Sequence, residues 1–411
     1  MKEKNNCRCC NGRKLLTYLK LGKQPPANSY HKGGKLPQYD LNVNVCANCF
    51  HSQLSVVVDK ESMFENYLYV SGTTKTFRNH TKNLAKDAVG RFTKKRLAVL
   101  DIACNDGTQL EYFRALGCSV YGIDPAKNLR LLTEKKGIPV IVDYWTKKVA
   151  QKLNKKFDII TGTNVFAHVD NIGSFLDASK NSLSANGLLI LEFPYADNMI
   201  SHNEFDTVYH EHLSYFLVNS FSRLVERKDL LIVDILKTPI HGGSIRFFLT
   251  KNKGKHSPIV ASLIQYEKEK GLLEVSSYTN FSKRIKKNKK EMKLLFKRLE
   301  GDGKKVIGYA ASAKGNTMLN YFKIRPQYIV DDNPLKCGLL TPGMNIPIVP
   351  SSTLKEEKGR LYIIVLAWNF YNEIVERIEI MRPGKDDYGI LYVPDVKVLP
   401  LGDNKNISVS A

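Results

Sequence analysis

Two rhythms of apolar residues run along this chain, and they divide it. The stretch "YDLNVNVC" (39–46) alternates polar with apolar positions and predicts a half-buried strand. It follows "LGKQPPANSY" (21–30), which reads as a loop. "RLAVLDIACNDG" (96–107) opens on a short, fully apolar strand, Leu97–Ile102, and then turns through small residues into the helical "TQLEYFRALG". "CSVYGIDPA" is a second buried strand that closes on Asp124, and "FDIITGTNVFAHV" (157–169) and "LSANGLLILEFP" (183–194) repeat the strand pattern. The rhythm then changes. Phe281, Ile285, Met292, Leu295, Phe296 and Leu299 recur at helical spacing and predict a helix with one apolar stripe. Beyond it, "KKVIGYAASAKGNTML", "YIVDDNP" and "LYIIVLAWNF" return to strand, small-residue loop and helix, a second α/β unit. The residues from about 401, "LGDNKNISVSA", read as a frayed tail.

A length of 411 residues suits two or three cores rather than one. The pattern places the boundaries at 1–55 for a cysteine-rich module, 56–255 for the first α/β unit, 256–300 for a helical Lys-rich connector and 301–411 for the second α/β unit. No apolar run reaches the length of a membrane span, and "MKEKNNCRCC" has no signal-peptide core, so a cytoplasmic protein with no membrane partner is expected, a monomer or a weak homo-oligomer. The net charge is +22, and residues 283–305 hold 8 of it. A nucleic-acid patch is one reading of that run. The apolar stripe gives the simpler one, a helix whose solvated face alone is basic.

Five of the eight cysteines lie in the first 49 residues. "CRCC" and "CANC" supply C-x2-C twice, as Cys7/Cys10 and Cys46/Cys49, and two such turns close a tetrahedral all-sulfur zinc site. Free buried thiols are the alternative. Four sulfur ligands leave no open position, so the zinc is structural; Cys9 is a spare, and Cys104, Cys118 and Cys337 are scattered singly, as small core residues are.

Strand, turn, helix and a second strand ending in an acid make the nucleotide-binding half of a doubly wound sheet. Asp101 stands near the end of the first strand, Ala103, Asn105 and Gly107 form the turn, and Asp124 is placed to accept ribose hydroxyls. The turn lacks the glycines that cradle a pyrophosphate. S-adenosylmethionine needs no such cradle, and its cationic groups favour nearby carboxylates and carbonyls. "YHEHLSYF" (209–216) lies just beyond the last strand, where active-site residues of open α/β sheets gather. Tyr209, His210, Glu211 and His212 therefore fall near a methyl acceptor, with His168 at the same edge. A histidine can take a proton from a carbon acid near neutral pH, and hydroxyl groups can hydrogen-bond the enolate oxygen that forms. Ordinary strand or loop residues are the plain alternative. "HGGSIR" (241–246) brings Arg246 toward the cleft between domains, and Lys314 and Asn316, at the start of a helix, can meet phosphate oxygens.

"DIACNDG" resembles the first motif of class I S-adenosylmethionine-dependent methyltransferases, with Ala103 where a glycine is usual. "VDYW" (142–145) sits where that family places an adenine-contacting loop, which brings in Asp143, and Asn164 follows the fourth strand in "TNVF". The full order is a four-cysteine start, "YLYVSGTT", "DIACNDG", "NVFAHV", "YHEHLSYF", "HGGSIR", "GYAASAKGNTMLN", "IVDDNPLKCGLLTPGMNIPI" and "VLAWNF". It resembles the sugar C-methyltransferases that act on nucleotide-linked keto-deoxysugars in branched-sugar biosynthesis, the tetronitrose-pathway type, from Cys7 to about Phe370. The resemblance implies an α/β protein of three parts: a zinc-binding module, a Rossmann-like methyltransferase domain and a second Rossmann-like domain helping to bind the nucleotide-sugar. It implies S-adenosylmethionine and zinc as cofactors, and a nucleotide-linked keto-sugar rather than a nucleic acid as partner. It makes His212 the general base with Tyr209 its rival, places Tyr69 near the acceptor sugar, and puts His168 and Glu211 among the active-site polar groups. Ala310 departs from the family's "GYGA". O-methylation of a nucleotide-sugar or glycan precursor, on the same fold, is the alternative.

Overall fold

A computed structural model of the protein describes residues 1–65 and 67–401. The expected tail falls on 402–411, outside the described residues. A seven-stranded sheet forms the centre, in the spatial order Leu231–Thr238, Ser244–Thr250, Leu183–Pro194, Phe157–Thr163, Ala98–Ile102, Ser119–Ile123 and Val140–Ile141. The last five strands are parallel, and Ser244–Thr250 is antiparallel to both of its neighbours. Successive side chains of a strand point to opposite faces, and the apolar runs sort accordingly into two cores. Val99, Ile159 and Ile190 meet Leu84, Ala88, Leu110 and Phe113 of helices Lys75–Gly90 and Thr108–Ala115 on one face. Leu100, Ile160 and Leu191 meet Val149, Phe175 and Leu176 of helices Lys147–Leu153 and Ile172–Ser182 on the other. Continuous apolar strands, buried on both faces, are what this layering requires.

The N-terminal module is a sheet of Leu15–Gln24, Tyr39–Cys46 and Ser52–Leu54, completed by Ser214–Tyr215 from within "YHEHLSYF". The first strand runs four residues into the segment read as a loop. Leu19, Leu21 and Gln24 are buried, and the ladder slips between Lys20 and Lys23, where Gly22 takes a φ of 79°. The sequence disguises this strand because a bulge interrupts its alternation. The module is also tied to the central domain at its knuckles: Arg227 donates to the Cys9 carbonyl at 2.7 Å and Asn219 to that of Cys49 at 3.0 Å.

The helix Val275–Gly301 spans 27 residues and buries all six residues of the expected stripe. Lys283, Lys286, Lys287, Lys290, Lys293 and Lys297 are exposed on the rest of it. The C-terminal sheet runs Ile348–Pro350, Ile329–Asp331, Lys305–Tyr309, Leu361–Val365, Tyr388–Leu391 and Lys397–Pro400, parallel except for the last strand. Its strands end facing the carboxyl ends of the central sheet across one cleft.

Candidate active site

The cleft has a volume of about 1200 Å³ and draws its walls from all three units. On the central-sheet side, Ala103, Asn105 and Gly107 take left-handed φ values of 59°, 51° and 76°, which fold the turn tightly over the end of the strand. Asp124 closes the next strand. Its two oxygens accept the backbone N–H groups of Asn105 and Ala126, each at 2.8 Å, and burial raises its pKa against the pull of those amides. Asn105 also accepts from Ser71 N–H at 2.9 Å and donates to the Tyr69 carbonyl at 3.0 Å, so the turn anchors the "YLYVS" segment over the cleft. Asp143 and Asn164 line the same wall, and Asn164 Oδ1 is buried without a hydrogen-bond partner.

Asp101 and Gly107 are not on that wall. Asp101 lies beneath the turn, accepting from Gln109 at 3.0 Å and Thr161 at 2.7 Å, with burial pushing its carboxyl up to about 7. Gly107 starts the following helix, and a Cβ there would meet Ile138 at 2.8 Å. Both shape the turn without reaching the cleft.

The segment "YHEH" (209–212) folds as a turn, closed by the bond from His212 N–H to the Tyr209 carbonyl at 2.9 Å. Positions i and i+3 of such a turn come to one side. Tyr209 and His212 accordingly line the cleft with ring centroids 4.0 Å apart, and His168 stacks on His212 at 4.9 Å. The turn sends the two residues between them elsewhere. Glu211 accepts from Asn28 at 2.6 Å and from Tyr67 at 3.0 Å, and burial pushes it up to about 7. His210 is buried against the Tyr39 ring of the N-terminal module. It stands away from the cleft, contrary to the substrate role expected of it.

His212 Nδ1 donates to the Thr207 carbonyl at 2.8 Å, which fixes the tautomer and leaves Nε2 with a free lone pair. Burial lowers the pKa of His212 well below the ordinary value, and neighbouring His168 adds to the effect; burial lowers His168 to about 4. Both rings are neutral at neutral pH. Tyr69 is 40% exposed at the rim.

From the C-terminal side, Lys314 reaches in, donating to the His241 carbonyl at 3.1 Å and lying 4.2 Å over the Trp368 ring. Asn316, two residues on, is buried. It donates to the Ala27 carbonyl at 2.8 Å and so joins domains instead of lining the cleft. Arg246 is likewise interior, paired with Glu192 at 2.8 Å, whose other oxygen meets His80 at 2.6 Å. Its place on a strand pair buried on both faces overrides its position in the motif. His241 and Tyr67 line the cleft and escaped the sequence reading. The glycines after His241 were the one available signal, since His241 itself takes a φ of 58°.

At the other end of the module, the sulfurs of Cys7, Cys10, Cys46 and Cys49 all lie within 4.8 Å of one another, with Cys7–Cys49 and Cys10–Cys46 each at 3.5 Å. Four sulfurs about 2.3 Å from a tetrahedral zinc stand at nearly that spacing. The N–H groups of Gly12 and Asn48 approach Cys10 and Cys46 Sγ at 3.4 Å, as suits thiolates. Cys9 is buried outside this cluster. The zinc is structural.

A doubly wound sheet, a turn without phosphate-binding glycines and a carboxylate at the second strand's end define a methyltransferase of the S-adenosylmethionine-dependent class. Family models agree piece by piece: a zinc binding domain over residues 7–64, a methyltransferase domain over 77–235 and a C-methyltransferase C-terminal domain over 239–394. The C-methyltransferase NovU of Streptomyces niveus is 30% identical over 388 residues, covering 90% of this chain and 91% of that protein. The chain belongs to the C-methyltransferase family that includes NovU. The ubiquinone biosynthesis O-methyltransferase of Rhodopseudomonas palustris (strain HaA2) is 33% identical, but over 100 residues, 23% of this chain and 39% of that one. Among solved structures, the magnesium protoporphyrin IX methyltransferase of Synechocystis PCC 6803 with bound S-adenosylmethionine covers 43% of this chain and 78% of its own at a TM-score of 0.34 and 14% identity, too partial a likeness to carry further weight. The cofactor wall fits S-adenosylmethionine in its chemistry: Asp124 and the unpartnered Asn164 Oδ1 line it, and oxygen acceptors of this kind suit hydroxyl and ammonium groups.

Proposed function

We propose that this enzyme methylates the carbon beside the keto group of a nucleotide-linked 4-keto-deoxysugar, such as a dTDP-sugar. The observation that carries the reading is the neutral His212 in the cleft, its Nδ1–H held by Thr207 and its Nε2 free. The keto group acidifies the adjacent carbon, and Nε2 takes that carbon's proton. Tyr209 and His168, beside His212, and Tyr69 at the rim of the cleft donate to the enolate oxygen as it gains charge. S-adenosylmethionine supplies an electrophilic methyl group on a cationic sulfur. Asp124, Asn164 and Asp143, which line the cleft, would hold its nucleoside and amino acid ends. Lys314 and the loop from Ala310, before the helix Ala313–Phe322, receive the phosphates of the sugar nucleotide. C-methylation is favoured over O-methylation because the C-methyltransferase relative matches 90% of the chain and the O-methyltransferase relative only 23%.

The test is incubation of the zinc-loaded protein with S-adenosylmethionine and a panel of nucleotide-linked keto-sugars. A product heavier by one methyl, with a carbon–carbon linkage by NMR, is expected from at least one 4-keto-deoxysugar. An ether-linked methyl, or no product across the panel, would overturn the reading.

A further inference from the structure

We propose that Asp206 is a positioning residue for His212, and that the C-terminal domain sets the orientation and tautomer of the base through it; the proposal rests on His212 being that base. Asp206 precedes Thr207, the residue whose carbonyl accepts the His212 Nδ1–H. It sits in a short 3-10 turn, Phe205–Thr207, and is fully buried. Its Oδ2 accepts from Trp368 Nε1 at 2.7 Å and from the Tyr392 hydroxyl at 2.8 Å. Those donors come from the C-terminal domain, just past the carboxyl ends of the adjacent parallel strands Leu361–Val365 and Tyr388–Leu391. A carboxylate that accepts two such bonds is charge-assisted and directional.

The same domain grips the turn on both sides. Thr317 Oγ1 donates to the Val208 carbonyl at 3.3 Å, and the Phe205 ring stacks on Phe322 at 5.1 Å. The turn that carries the Thr207 carbonyl is thus held by the C-terminal domain in addition to its own bonds from Thr207 N–H to Glu204 and from Val208 N–H to Phe205. Trp368 is also the link to the ligand side. Its neighbours Ala367, Asn369 and Phe370 line the cleft, and Lys314 lies on its indole. A displacement of that loop by a bound ligand would reach the base in four steps: indole, carboxylate, carbonyl, imidazole. A simple interdomain adhesive would need none of this alignment.

The test uses Trp368→Phe and Tyr392→Phe in the full, zinc-loaded chain with 15N-labelled histidine. Each variant keeps a ring in place and one donor on Asp206. The wild-type imidazole is expected as the Nδ1–H tautomer. In each variant a mixture of tautomers should appear, with kcat down about 10-fold; in Tyr392→Phe, which leaves the contact of Lys314 with the indole intact, KM for the nucleotide-sugar should be unchanged within about twofold. An unaltered tautomer with unaltered kcat in both variants would overturn the proposal, and so would a raised KM with tautomer and kcat intact, which is the behaviour of an adhesive. If Trp368→Phe does not fold, Tyr392→Phe decides, since it removes a single oxygen. His212→Asn separates the two readings. If that variant still exchanges the substrate's α-proton, the base assignment falls; if it does not, while the tautomer in the other variants stays fixed, the positioning role alone falls.

Discussion

At the scale of single residues, the cleft works by burial. Burial and neighbouring charge hold His212 well below the ordinary histidine value, and burial holds His168 at about 4, so neither ring needs to lose a proton before reaction at neutral pH. The activity is expected to stay level from about pH 8 down to the ordinary histidine value and to fall only below it, which a pH profile of kcat/KM will check. Ala103 and Ala310 are a second residue-scale matter. Both stand where glycine is usual, and both take left-handed φ values, 59° and 69°. A Cβ in that region costs roughly 1–2 kcal/mol. Ala310→Gly should therefore raise stability by about 1 kcal/mol, seen as a higher denaturant midpoint with the product unchanged. The departures from the family motif were legible in the sequence, and so was the cluster of Tyr209, His212 and His168. What could not be read was which residues of "YHEH" share a side. That depends on one backbone bond, from His212 N–H to the Tyr209 carbonyl, which pairs the first with the fourth and sends His210 and Glu211 to other partners. Arg246 and Asn316 were misplaced for a related reason. Their residue types suit phosphate binding, while their neighbours in space, Glu192 and Ala27, lie 54 and 289 residues away in sequence.

At the scale of elements, most strands could be read because a strand buried on both faces is a bare apolar run. Leu15–Gln24 could not, because its bulge breaks the alternation. The pairing of Ser214–Tyr215 with Ser52–Gln53 was also hidden, since two residues carry too little pattern to announce a strand. Yet that pairing gives the zinc module its effect on chemistry. The strand begins two residues after His212, and Leu54 N–H donates to the Leu213 carbonyl at 3.1 Å. Metal binding drives the folding of small modules of this kind. Cys46→Ser is expected to abolish zinc, measured by elemental analysis, and to lower turnover at least 10-fold although no ligand touches the cleft. Cys9→Ala, outside the sulfur cluster, should keep the zinc content of the wild type.

At the scale of the molecule, buried titratable groups pull stability in opposite directions. His168, His210 and His241 are each lowered to about 4 from 6.5. Between those values the unfolded chain binds protons that the folded chain refuses, so stability drops as pH falls from 6.5 to 4. Asp101, Glu211 and Glu267 are each pushed up to about 7. Between their ordinary values and 7 the folded chain holds protons that the unfolded chain gives up, so stability recovers as pH falls through that window. The denaturant midpoint should change little between about pH 7 and 5. A loss of activity with the midpoint unchanged would report protonation of the site, not unfolding. The charge excess also resolves at this scale. The lysines of the long helix form its solvated face, and the apolar stripe beneath them joins the domains that enclose the cleft. Three separately patterned segments thereby meet around one imidazole.

The most direct test of that arrangement is exchange of the α-proton of a dTDP-linked 4-keto-deoxysugar in heavy water, followed by NMR with no methyl donor present. The wild-type protein is predicted to exchange the proton on the carbon it methylates, and His212→Asn to leave it at the rate of buffer alone. Exchange at the wild-type rate in His212→Asn, or methyl transfer by a wild-type protein that never exchanges that proton, would contradict the account.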